Sequence, residues 1–274
     1  MNSDGAISDA LAHFKTVHID DIDMAYQEIG AGKPLLMIMG YSYSMDRWSH
    51  QLIQALSISN RVIVFDNRGM GYSQSSEKEY SIPLFASDTV GLLDALKIER
   101  ANVLGYSMGT FIAQEIALTR PERVNKLVLI AGSVGGKEGI PAGPKGMDVL
   151  TNRSGTDEER MIRGIEGLFP TDWLKQHPDI SSYYPIARTF NPQDRVLRQA
   201  QAVMHWAGSS SRLGQMNLPT LIFAGDSDIL VPPENAMILA RSIANSWLIR
   251  IRNCGHGVIY QYPKLIADEI ALFL

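Results

Sequence analysis

The chain has a single cysteine, Cys254, so no disulfide can form within it and no cysteine cage for a metal is available. It has no basic run: 25 Lys and Arg stand against 29 Asp and Glu, a formal charge of −4, which lacks the footprint of a nucleic-acid binder and argues against a polyanionic substrate. No apolar stretch reaches the length needed to span a membrane. Residues 1–12 hold Asp4 and Asp9 but neither a basic start nor an apolar core, so a secretion signal is not expected. The motif Gly-x-Gly-x-x-Gly is missing, Gly135-Gly136-Lys137-Glu138 lacks the spacing and the hydroxyl of a phosphate loop, and no His-x-x-x-His pair occurs. These absences point to a protein of the cytoplasm that uses no cofactor and no metal and has neither nucleic acid nor membrane as partner. They leave its oligomeric state open.

What the chain does have is the composition of a globular protein, 45% hydrophobic and 20% charged, in 274 residues. Short runs of Val, Ile and Leu alternate with helical periodicity, the pattern of a mostly parallel sheet covered on both faces, an α/β fold. Strands are expected at 14–19, 24–30, 34–39, 61–66, 102–105, 126–131, 220–224 and 247–251, the first two as an antiparallel hairpin at the sheet's edge. Helices are expected at 48–56, 82–96, 108–119, 233–243 and 263–273, the last with proline in its first turn. Residues 132–146 pack six glycines and two prolines into fifteen positions and read as a mobile connector. Beyond it no strand pattern appears before about residue 215, only helical periodicity near 156–168 and 193–207. The organisation expected is a core of residues 1–131 and 216–274, with 132–215 as a helical lid above the carboxyl edge of the sheet.

Residues 102–109 run from an apolar strand into Gly105-Tyr106-Ser107-Met108-Gly109, a Gly-x-Ser-x-Gly elbow opening the helix expected at 108–119. Such a turn exposes the serine hydroxyl, and glycine two positions away on either side removes side chains that would strike neighbouring backbone. A serine nucleophile needs a base, and the base needs an orienting carboxylate, which follow an elbow in the order Ser, acid, His. His256 lies in Asn253-Cys254-Gly255-His256-Gly257, after the last strand; His13, His18, His50, His177 and His205 read as ordinary surface or core residues. The strand at 220–224 leads into Gly225-Asp226-Ser227-Asp228, offering two carboxylates, although Asp226 has the position of an Asp that closes a turn on backbone amides. Amide donors for an oxyanion are expected from Met108, directly after the nucleophile, and from the loop Met39-Gly40-Tyr41-Ser42-Tyr43-Ser44, within which Tyr41 N–H is the best candidate.

Met39-Gly40-Tyr41 with Trp48, Asp66-Asn67-Arg68-Gly69-Met70-Gly71-Tyr72-Ser73, Gly105 to Gly109, Gly225-x-x-Asp228 and Gly255-His256 together resemble the α/β-hydrolase fold superfamily over nearly all of the chain outside 132–215. The chain is similar to small esterases, cofactor-free haloperoxidases or perhydrolases, carbon-carbon bond hydrolases and enol-lactonases of that superfamily. The resemblance implies an eight-stranded, mostly parallel sheet and favours Asp228 over Asp226 as the acid. It implies ester hydrolysis through an acyl-enzyme on Ser107; the same residues would serve a perhydrolase, a lactonase or a carbon-carbon hydrolase, and a receptor on this scaffold is the non-enzymatic alternative. Serine at 107 argues against relatives that attack through aspartate, the dehalogenases and epoxide hydrolases. The absence of His-Gly-Gly-Pro-Gly argues against proline iminopeptidases. Met39 replaces a frequent histidine and Thr110 a frequent glycine. The segment 66–73 is expected to be structural, with Asp66 and Arg68 anchoring backbone. Trp173, Tyr183, Met204 and Trp206 supply apolar surface for a small or medium, uncharged, ester-like substrate.

Overall fold

The computed structural model describes residues 3–274; Met1 and Asn2, which begin the stretch tested for a secretion signal, lie outside the described residues. Helix α1 (Ser3–Ala12) precedes an eight-stranded sheet: β1 (Lys15–Ile19), β2 (Ile22–Ile29), β3 (Lys33–Ile38), β4 (Asn60–Phe65), β5 (Ala101–Tyr106), β6 (Val124–Ile130), β7 (Thr220–Gly225) and β8 (Ser246–Ile251). Their spatial order is β1-β2-β4-β3-β5-β6-β7-β8. β1 pairs antiparallel with β2, and β2 antiparallel with β4; every other pairing is parallel. All eight expected strands are present, the first two as the edge hairpin.

The parallel strands read as continuous apolar runs because both faces are covered. Leu36, Ile38, Ile63 and Phe65 face α3 (Ile82–Ala95), α4 (Met108–Thr119) and α10 (Glu234–Ser242), while Leu35, Met37, Val62 and Val64 face α2 (His50–Leu56) and α12 (Pro263–Phe273). A short helix, α11 (Val258–Gln261), lies between the loop that follows the carboxyl end of β8 and α12. The helix expected from residue 48 begins at His50, because the Ser49 side chain accepts the Leu52 N–H as an N-cap and leaves Trp48 extended and buried.

Between β6 and β7 lie α5 (Pro144–Thr151), α6 (Asp157–Leu168), α7 (Thr171–Gln176), α8 (Gln193–His205) and α9 (Ser210–Leu213), with no strand among them. α6 starts where Thr156 and Glu159 form a capping box, and α8 ends at His205, short of the expected 207. α6 gives Ile165, Leu168 and Phe169 to the core on the α2 and α12 side; α8 gives Ala202, and the residue after it Trp206, to the opposite core. The segment therefore straddles the sheet.

Residues 132–146, expected to be a mobile connector, are tied down instead. Ser209 N–H donates to Val134 O at 2.8 Å, and Asn235 exchanges two hydrogen bonds of 2.8 Å with the backbone of Ile140. Gly135 and Gly136 hold φ of +62° and +60°, and a β-carbon on Gly135 would lie 2.6 Å from the Trp206 ring. These glycines serve a left-handed turn and close packing, which composition alone does not separate from mobility.

Candidate active site

β5 ends at Tyr106 and α4 begins at Met108, so Ser107 carries the whole strand-to-helix reversal. Its backbone sits at φ 54°, ψ −121°, a conformation that costs a residue with a side chain on the order of 1–3 kcal/mol. The reversal requires close backbone packing: a β-carbon on Gly105 would lie 2.4 Å from Gly109 O, and one on Gly109 would lie 2.1 Å from Ile38 O of β3. Thr110 has room because Gly132 faces it, and its hydroxyl donates to Ser107 O at 2.6 Å.

The strained turn aims Ser107 at His256. Ser107 Oγ is 2.9 Å from His256 Nε2, and His256 Nδ1 is 2.7 Å from Asp228 Oδ2. Asp228 and His256 are buried. The other carboxylate oxygen, Oδ1, accepts the N–H groups of Leu230 and Val231, each at 2.8 Å, so Asp228 is fixed from both sides. Asp226 does different work: its carboxylate accepts Asn253 N–H at 2.8 Å and braces the turn after β8. The two turns are further joined by Ser227 N–H to Cys254 O at 2.9 Å and by Asp226 N–H to Ile251 O at 3.0 Å.

Tyr106, the variable residue inside the elbow motif, donates its hydroxyl to His256 O at 3.0 Å, and its ring centroid lies 5.4 Å from the imidazole. Sequence reasoning missed this contact, which ties the end of β5 to the backbone that carries the imidazole. Cys254, two residues from the base, is buried; burial and then the Asp228 charge push its thiol up, so it is held in the unreactive protonated form.

On the other side of the nucleophile, Gly40 approaches so closely that a β-carbon there would lie 3.0 Å from Ser107 Cβ and 3.5 Å from Oγ. The Tyr41 amide is the next along the chain from that contact. Met108 N–H opens α4, where first-turn amides have no intrahelical acceptor. Behind this loop, buried Asp66 accepts Met45 N–H at 2.6 Å and Tyr72 N–H at 2.8 Å. Burial, with Asp46 nearby, pushes its carboxyl up to about 7 against the pull of those amides. Arg68, fully buried, forms a two-pronged pair with Asp88 at 2.6 and 2.8 Å and reaches Asp21 and Ser76 at 2.7 Å, joining β2's turn to α3.

The four residues expected at the substrate are placed differently from one another. Tyr183 packs edge-on against Phe169 at 5.3 Å, and Trp173 stacks on His177 at 3.7 Å and meets Tyr183. Phe169 in turn covers the base loop: a β-carbon on Gly257 would lie 2.5 Å from its ring. Phe169 is the residue missed here, at the end of α6 and just before Pro170. Trp206 belongs elsewhere. It is 7% exposed, lies against Phe111 at 4.8 Å and donates its indole N–H to Glu115, which also pairs with Arg212 at 2.8 and 2.9 Å. Met204 is 71% exposed on the outer side of α8. Trp206 is thus a wedge between α8 and α4, and Met204 a surface residue, because at helical spacing the inward face of α8 falls on Gln199, Ala202 and Trp206.

Among the described residues no group of three or more His, Cys, Asp and Glu has the arrangement to hold a metal ion, and no helix is long and apolar enough to cross a membrane. A family model described as alpha/beta hydrolase fold matches residues 33–263. The chain is 30% identical over 269 residues to a poly(3-hydroxyalkanoate) depolymerase of Ectopseudomonas oleovorans, covering 95% of this chain and 92% of that one. It is 28% identical over 254 residues to a 2-hydroxymuconate semialdehyde hydrolase of Pseudomonas sp. strain CF600, covering 89% and 88%. The crystal structure of an enol-lactonase from Burkholderia xenovorans LB400 superposes with a TM-score of 0.80 over 94% of this chain and 99% of that one; at 19% identity it speaks to the fold alone.

Proposed function

The chain belongs to the α/β-hydrolase fold family, and on that premise we propose that it is a serine hydrolase that cleaves a carboxylic ester through an acyl-enzyme on Ser107. The observation that carries this reading is the unbroken relay from Ser107 Oγ through both nitrogens of His256 to Asp228. His256 Nε2 takes the hydroxyl proton as Oγ adds to the ester carbonyl, and Asp228 accepts the Nδ1 hydrogen, fixing the tautomer and stabilising the imidazolium. The amides of Tyr41 and Met108 receive the oxyanion; one well-placed donor contributes about 3–4 kcal/mol to the transition state. The imidazolium then protonates the departing alcohol, and the neutral ring activates water to release the acid.

Residues 132–215 form the lid in this reading, with Phe169, Tyr183 and Trp173 as the apolar wall beside His256, suited to an uncharged acyl or alcohol group. We place the enzyme in the cytoplasm on the strength of its single, buried thiol. The similarity to a 2-hydroxymuconate semialdehyde hydrolase favours a second reading, carbon-carbon bond cleavage by the same three residues.

Intact-mass analysis after treatment with a fluorophosphonate, paired with a panel of esters, lactones and vinylogous diketones, tests both. The ester reading predicts one adduct, on Ser107, and turnover of apolar esters. It fails if the adduct lies elsewhere, if Ser107→Ala keeps its activity, or if only the diketones turn over.

A further inference from the structure

The loop after β3 is laced to the chain before α8 residue by residue. The Tyr43 and Tyr184 hydroxyls meet at 2.7 Å, the Ser44 and Thr189 hydroxyls at 2.8 Å, Asp46 accepts Arg188 N–H at 2.6 Å, and Arg47 donates to Pro185 O at 2.7 Å. At the end nearest the nucleophile, both backbone polar atoms of Ser42 are gripped. Ser42 N–H donates to Gln199 Oε1 at 2.6 Å, and Ser42 O accepts from Asn191 Nδ2 at 2.8 Å. Asn191 is oriented in turn by Gly71 N–H, which donates to its Oδ1 at 2.7 Å.

Two features show that this grip does more than fasten two surfaces. Ser42 holds a left-handed φ of 62°, a conformation that is uncommon and costly for a residue with a side chain and that its contacts must sustain. Gln199 is fully buried, yet its Nε2 has no partner among the described residues. A half-satisfied buried amide is a net cost to stability, and an apolar side chain of equal length would avoid it. What Gln199 supplies is the acceptor oxygen at Ser42.

We propose that Gln199 and Asn191 are positioning residues for the Tyr41 oxyanion donor: Gly40 lies against Ser107 on one side, Ser42 is clamped on the other, and the Tyr41 amide between them is held at both ends. This rests on the serine-hydrolase reading above. Docking of α8 and assembly of the oxyanion hole become one event, so the segment expected to select substrate also completes the catalytic geometry.

The test compares the full-length chain with Gln199→Met, which keeps the length and removes the acceptor; Gln199→Glu, which keeps the acceptor; and Asn191→Asp, which keeps the acceptor for Gly71 and removes the donor to Ser42. Arg198→Ala is the control. It loosens α8 from Ser75, Ser76 and the Tyr80 ring without touching Ser42. Readouts are kcat and KM on a p-nitrophenyl ester, the inhibition constant of a trifluoromethyl ketone whose carbonyl oxygen becomes an oxyanion when Ser107 adds, and Tm. Displacing a catalytic group by about 1 Å costs on the order of 100-fold. Gln199→Met and Asn191→Asp are therefore expected to lower kcat about 10- to 100-fold with KM within about threefold, and to weaken the ketone by the same factor as kcat. Gln199→Glu recovers most of the loss, and Arg198→Ala lowers Tm but keeps kcat and ketone affinity within about threefold. Should Gln199→Met fail to fold, Asn191→Asp decides the matter. The proposal is overturned if both variants keep kcat and ketone affinity, or if Arg198→Ala loses as much as they do. Failure of the underlying reading looks different: the wild-type chain then carries no phosphonate on Ser107.

Discussion

In the sheet, Leu35 to Ile38 and Val62 to Phe65 are shut off from solvent on both faces, whereas the helical segment between β6 and β7 leaves Met161, Ile162, Leu197 and Met204 exposed. The sheet is held by apolar burial. The segment also enters the core, through residues such as Val134, Ile165, Leu168, Phe169, Ala202, Trp206 and Leu213, but its outer faces stand in solvent and its fit is set by directional contacts such as the Glu115–Arg212 pair and the lacing of residues 42–47 to 184–199. The difference teaches that the scaffold and the fit of its cover are specified by different kinds of information: hydrophobic pattern for one, single hydrogen bonds between residues far apart in the chain for the other.

The largest expected effect separates chemistry from packing. Ser107→Ala should lower kcat about 10⁴-fold or more while changing stability by no more than about 1 kcal/mol, measured by steady-state kinetics beside thermal unfolding. Comparable losses in both would mean that the elbow's strain and the core's stability are one property.

Trp206→Ala should cost about 3–5 kcal/mol, read as a fall in Tm, with the order of preference across an ester panel unchanged. A changed preference at constant Tm would return Trp206 to the substrate wall and erase its role as a wedge.

Asp66 lets pH probe the core side of the loop to which the segment is laced. Its carboxyl is raised to about 7 in the folded chain from an ordinary 3.8, so the folded state holds a proton that the unfolded chain has released. The stability this gives is full below about pH 4 and is lost as pH rises to about 7, where Tm should level off. In Asp66→Asn that part of the Tm decline should vanish; a persistent slope would place its origin elsewhere. The smallest effect is expected at Met204→Ser, within about 0.5 kcal/mol and without change in kcat/KM, since its side chain stands in solvent.

Legibility in the sequence follows the same division. The central parallel strands were readable because a buried parallel strand is an uninterrupted apolar run, the edge hairpin because only residues 20–23 separate its two expected strands, and α4 was readable to its ends because the elbow opens it and Arg120-Pro121 closes it. Ser107, Asp228 and His256, drawn together by motif and chain order, do meet in space. The short helices α5, α7 and α9 carry too few turns for periodicity to register. Trp206 and Tyr183 are both aromatic residues in a helical insertion, and composition cannot say which faces the base loop and which faces α4. The Ser42 clamp was out of reach altogether, since Gln199 lies 157 positions away and reads as an ordinary polar helix residue.

The bracing of the turns after β7 and β8 has a consequence for how such a chain can change. Asp226 holds Asn253, and Ser227 and Asp226 hold Cys254 and Ile251, so the loops bearing the acid and the base are one mechanical piece. An added residue in either loop displaces carboxylate and imidazole together. The connection between β6 and β7 carries neither group. A residue inserted there leaves both braced turns as they are, so the length of that connection is uncoupled from the spacing of carboxylate and imidazole.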